Sequence, residues 1–148
     1  MSQAQGDASD TGKIGCYTRK LAARVRTAIH DRSEQLRLRE EFRSILGANH
    51  EADVLEALRL PRGQIEAFIE GHPAAKRLLP RMAKQLGIGL DTVTDNGTRN
   101  EIMVNCAVCT AKKSCAKWLD ASPCAEPPEF CRNGPEFDRL LHPRKAAG

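Results

Sequence analysis

Residues 105–133 read NCAVCTAKKSCAKWLDASPCAEPPEFCRN and hold five of the chain's six cysteines, Cys106, Cys109, Cys115, Cys124 and Cys131. The spacing is C-x2-C-x5-C, then eight residues to Cys124 and six more to Cys131. A C-x2-C pair turns two thiolates toward one point within a single turn of chain, and five intervening residues let a third return from the start of a helix. Soft thiolates so placed select Zn, Cu(I) or an iron–sulfur cluster over Mg or Ca. The chain as a whole is soluble in character, with no secretory signal pattern, so the clustering points to metal ligation in a reducing, cytoplasmic setting before it points to disulfides.

Zinc staples generally come as two knuckles, each gripping from its own tight turn. Only one C-x2-C is present here, and three close ligands with one remote is the pattern of a [4Fe-4S] binder. The expected cofactor is therefore a [4Fe-4S] cluster, with Zn as the alternative. Four thiolates around a core or ion of charge +2 leave the site at −2, and Lys112, Lys113, Lys117 and Arg132 are placed to offset it. Cys115, Trp118 and Leu119 stand at i, i+3 and i+4 of a helix beginning near Ala111, which places Trp118 either over the site or in the core of this lobe.

The run C-x2-C-x5-C resembles the ligand run of WhiB-like regulators and of the endonuclease III type of glycosylase. Those groups place a further cysteine upstream, a role for which this chain has only the distant Cys16. A closer resemblance covers about residues 51–141. It rests on a Met-containing helix ending in Leu86-Gly87, then Cys106, Cys109, Cys115, Leu119, Cys131, Asn133, Phe137 and Leu140. In these positions the chain is similar to a family of small uncharacterised proteins common in alphaproteobacteria. Where members read Cys-Pro-Asn, this chain has Cys131-Arg132-Asn133. The resemblance implies ligation by Cys106, Cys109, Cys115 and Cys131, with Cys124 a spare thiol or alternate ligand, and it implies no activity.

Outward from this stretch, the periodicity is helical throughout. Phe137, Leu140 and Leu141 predict a final short helix, with His142 beyond it as a terminal surface residue. Ile102, Met103 and Val104 are expected to dock the Cys-rich lobe, residues 101–148, onto the rest. Residues 89–105 read as a connector containing the turn dipeptide Asn96-Gly97. Before it, residues 48–100 predict a bundle of short helices. The first runs from about Glu51 to Leu58 with Val54, Leu55 and Leu58 inward. The second follows Pro61, buries Ile65, Phe68 and Ile69, and ends at Gly71. The third runs from Pro73 to a stop at Gly87, with Leu78, Leu79, Met82 and Leu86 on one side and Pro80 as a kink. Residues Ala52–Gly71 have the apolar spacing of a helix-turn-helix and look loosely like lambda-repressor-type segments; two packed helices show the same spacing.

From Tyr17 to Leu46 there is neither Gly nor Pro, and apolar residues recur at helical spacing, so residues 13–47 predict one basic amphipathic helix or two with a break near Asp31-Arg32-Ser33. Between Lys13 and Arg43 there are nine basic and four acidic residues. That surplus is either a solvated face or a contact with nucleic acid or anionic lipid. Residues 1–12 read as a disordered arm.

At 148 residues, 41% apolar and 28% charged, the chain is one domain's worth of ordinary globular protein. One Trp, one Tyr and four Phe supply too few platforms for stacking single-stranded nucleic acid. No apolar run approaches the roughly 18 residues of a membrane span. Nucleotide-binding, hydrolase and zinc-protease motifs are absent, and His30, His50 and His72 have no spacing partner. The expectation is an all-α protein, a small helical bundle with a Cys-rich metal-bound C-terminal lobe. It has no catalytic residue, and its partner is a protein or redox partner not named by the sequence.

Overall fold

The computed structural model describes residues 10–47, 51–121 and 126–143, with the side chains of residues 10–17, 46, 51 and 54 left aside. Six α-helices and no strand occur among the described residues: α1 Asp10–Leu46, α2 Glu51–Ala57, α3 Ile65–Leu86, α4 Asn96–Val108, α5 Lys112–Ala121 and α6 Gly134–Leu141. The fold is all-α. The chain divides into two compact units, one ending at Glu34 and the other starting at Gln35, with the boundary inside α1.

In the first unit α1 begins at Asp10, three residues inside the stretch expected as an arm, and residues 1–9 lie outside the described residues. The helix continues through Asp31-Arg32-Ser33 without a break. None of these residues lacks an amide N–H or frees the backbone, and His30 and Glu34 stand 3.8 Å apart at i, i+4 across the point. Leu21, Val25 and Ile29 are helical as their spacing predicts, yet they are exposed.

In the second unit α3 is the central helix. Its first half buries Phe68, Ile69 and Ala75 against Leu38 and Phe42 of α1, Leu60, and Val104, Ala107 and Val108 of α4. Its second half buries Leu78, Leu79, Met82 and Leu86 against Ile102 of α4, Leu119 of α5 and Phe137 of α6. Polar ties fasten the surrounding elements. Arg39 pairs with Glu66 at 2.9 Å, Gln35 donates to the carbonyl of Glu70 at 3.1 Å, and Arg81 pairs with Asp120 at 2.7 Å.

Two expectations are corrected here. The predicted second and third helices are one, Ile65–Leu86, running through Gly71, Pro73 and Pro80. Each proline removes one backbone bond, and the continuous buried stripe on both sides of them offsets that loss, since tertiary packing outweighs local propensity. Gly71 serves as a point of close approach: a Cβ there would lie 1.7 Å from the carbonyl oxygen of Ala107. Asn96-Gly97 is likewise no turn but the first turn of α4. The Asp95 carboxylate accepts from the N–H groups of Gly97 and Thr98, at 3.3 and 2.8 Å, and from the Thr98 hydroxyl, so a strong N-cap overrides the turn dipeptide. The Thr98 hydroxyl, followed by its N–H, holds the Asp95 carboxyl below its usual range. Gly87 does stop α3, at φ 72°, with its N–H turned back to Ala83 and Lys84.

Candidate metal centre

Three short pieces of chain bring the cysteines together. Cys106 lies in the last turn of α4, Cys109 just past its end, Cys115 in the first turns of α5, and Cys131 in the turn before α6. All four are free thiols, half-buried, and line one hollow whose floor is Leu78, Leu79, Met82 and Phe137. Its free volume is about 30 Å³, room for a water-sized body. Among the described residues, no three His, Cys, Asp or Glu side chains are gathered so as to hold a single metal ion.

Backbone N–H groups face two of the sulfurs. The N–H of Ala111 donates to Cys109 Sγ at 3.3 Å, two residues on from the cysteine. At Cys131 the N–H groups of Asn133 and Gly134 favour the thiolate. Such donors lower the cost of negative charge on sulfur. Burial nevertheless dominates. It pushes the Cys106 thiol up to about 12, with the charges of Cys115, Cys109 and Cys131 adding to it and Lys112 opposing. Cys115 and Cys131 are raised as well, again first by burial.

Lys112 lines the hollow beside the thiols, and Arg81 also favours charge on Cys115. The half-buried Lys112 ammonium donates to the carbonyls of Ala107 and Cys109, both at 2.5 Å, closing the C-terminal end of α4 where carbonyls lack helical partners. Burial lowers its pKa, and Cys109, Cys106 and Cys115 raise it. Arg132 lines the hollow's rim. Lys113 and Lys117 are exposed and do not line it. Trp118 is half-buried against the cluster of Leu78, Met82 and Phe137 rather than on the hollow's wall. Cys124 lies outside the described residues, as does the side chain of Cys16.

Asn133 and Gly71 carry more of this site than their sequence contexts suggest. Asn133 is 3% exposed, lines the hollow, and donates through Nδ2 to the carbonyl of Ile102 at 2.9 Å, while its Oδ1 has no donor. Gly71 lets α3 lie against Ala107 and Lys112, the residues that fix the Cys109 turn. The only local signal for the first was its place two positions after Cys131; the second carried none.

Residues 69–143 match a family of unknown function, DUF6455. The chain belongs to this family. No curated protein and no solved structure matches the chain. The DUF6455 region runs from the middle of the first turns of α3 to just past α6, so it contains the whole four-cysteine hollow together with Gly71, Lys112 and Asn133. It leaves out α1 and α2. Membership carries no activity, and no described helix is long and apolar enough to cross a membrane.

Proposed function

We propose that this DUF6455 protein is a small iron–sulfur protein in which Cys106, Cys109, Cys115 and Cys131 hold one [4Fe-4S] cluster, used for redox sensing, electron transfer or cluster-dependent interaction. The observation that carries the reading is the convergence of four reduced thiols from separate turns on one hollow, with backbone N–H groups facing two of the sulfurs. The donor set fits: the described residues lining the hollow include no carboxylate or imidazole to compete with the thiols. A bound cluster would supply one-electron chemistry, while the chain's own part is to hold the thiolates, offset their charge through Lys112, and limit water through the apolar floor.

Three ligands close in sequence and one remote suit a cluster. The second reading is one structural Zn drawn in by the same four thiols, since a set of four thiolates is equally a zinc donor set. The DNA-binding form of that reading gains little from α3, whose first turns present Glu66 and Glu70 toward Arg39.

The test is electron paramagnetic resonance of protein reconstituted with iron and sulfide and then reduced. Wild type and Cys16→Ser give a cluster signal, and Ser at 106, 109, 115 or 131 each removes or alters it. An unchanged signal and iron content in Cys115→Ser would refute the ligand set.

A further inference from the structure

Every described residue from Thr18 to His30 is exposed, and within this stretch Leu21, Val25 and Ile29 are 49%, 49% and 65% exposed. Steps of four residues advance about 40° around a helix, so these three form one slanting stripe on the first unit's surface. Arg24 and Arg26 stand about 100° to either side of Val25, and Arg32 projects near the stripe's axis one turn further on. The acidic residues lie away from it: Glu34 is about 180° from Val25, paired with His30, and Asp31 about 120°. Between Thr18 and Glu34 there are five cations, Arg19, Lys20, Arg24, Arg26 and Arg32, against Asp31 and Glu34.

We infer that this stretch of α1 is a docking surface for an anionic lipid bilayer, lying in the interface with its aliphatic stripe toward the acyl region and its flanking arginines among the headgroups. The charge pattern selects the occupant. A second copy would bring the same arginines to the seam, and nucleic acid would engage them while leaving Leu21, Val25 and Ile29 in water. A bilayer surface offers negative charge and an apolar layer at the depth each requires. The contact is peripheral, made by a helix with no spanning length of apolar sequence. It is independent of what the cysteines bind.

The experiment is flotation of the full-length protein with vesicles of pure phosphatidylcholine and with vesicles containing about 30% phosphatidylglycerol. The anionic vesicles carry at least about tenfold more protein, and the difference shrinks as salt is raised. Leu21→Gln with Ile29→Gln, and separately Arg24→Glu with Arg26→Glu, each reduce binding about tenfold while circular dichroism shows unchanged helix content. Equal binding to both vesicles, no binding at low salt, or full binding by the glutamine variant would overturn the inference. So would a concentration-dependent dimer abolished by Ile29→Gln, or duplex DNA binding in place of vesicle binding.

Discussion

The side-chain amide of Asn133 donates to the backbone carbonyl of Ile102 at 2.9 Å, joining residues 31 positions apart. The bond ties the turn that carries Cys131 to the helix that carries Cys106. Because Asn133 is buried, its loss leaves a hole and frees that turn. Asn133→Ala should cost about 1–2 kcal/mol of stability and weaken metal binding with it. Thermal melts and Co(II) titration of the same samples check this; unchanged affinity would mean that the turn is held in some other way.

Gly71→Ala brings a Cβ to 1.7 Å from the Ala107 oxygen and 2.7 Å from Lys112 Nζ. Backbone cannot yield there without moving α4 from α3, so the substitution should cost about 3 kcal/mol. Gly63→Ala meets nothing within 4 Å and should change stability by less than about 1 kcal/mol. Parallel denaturant curves measure both, and equal effects would contradict the close approach.

Lys112→Met removes an ammonium that holds two carbonyls and faces three thiols. Co(II) affinity should fall about tenfold or more. Lys113→Met, at an exposed position, should leave it unchanged. Equal loss in the two variants would show that general charge, and not the position of Lys112, is what matters.

The thiol pKa values set two opposite pH trends. Cys106 is raised from 9.0 to about 12 in the folded chain, so between those values the unfolded chain has lost a proton that the folded chain keeps. The metal-free protein therefore loses stability as pH rises above about 9, and Cys106→Ala should flatten the decline. Metal binding runs the other way. Raised thiols must release protons to bind, so affinity for Co(II) or Zn climbs steeply from pH 6 to 8, by more than about tenfold per unit when several thiols deprotonate. Melts from pH 8 to 11 and titrations from pH 6 to 8 check the two trends; a stability that rises with alkalinity would contradict the burial of Cys106.

The helices were legible because their signals are local. Gly87 stops α3 at a left-handed position that glycine adopts without strain, and Leu78, Leu79, Met82 and Leu86 form the buried stripe their spacing predicts. What escaped depends on partners distant in sequence. Gly71 looks like a helix end until Ala107 is placed against it, and Asn96-Gly97 looks like a turn until Asp95 caps it. For Leu21, Val25 and Ile29, periodicity gave the helix but not the exposure, since a 3.6-residue repeat states which residues share a face and not what covers it. The four thiols that spacing and resemblance named do line one hollow, while Lys112's bonds and the Asn133–Ile102 bond emerge only from the fold.

Whether the four-cysteine hollow holds the proposed [4Fe-4S] cluster is decided by iron, zinc and acid-labile sulfide in protein purified without oxygen, with its visible spectrum. Ligation of a cluster by the four thiols gives about four iron and four sulfide per chain and broad absorption near 400 nm. A colourless protein with about one zinc per chain and no sulfide would contradict it and make the site a structural staple.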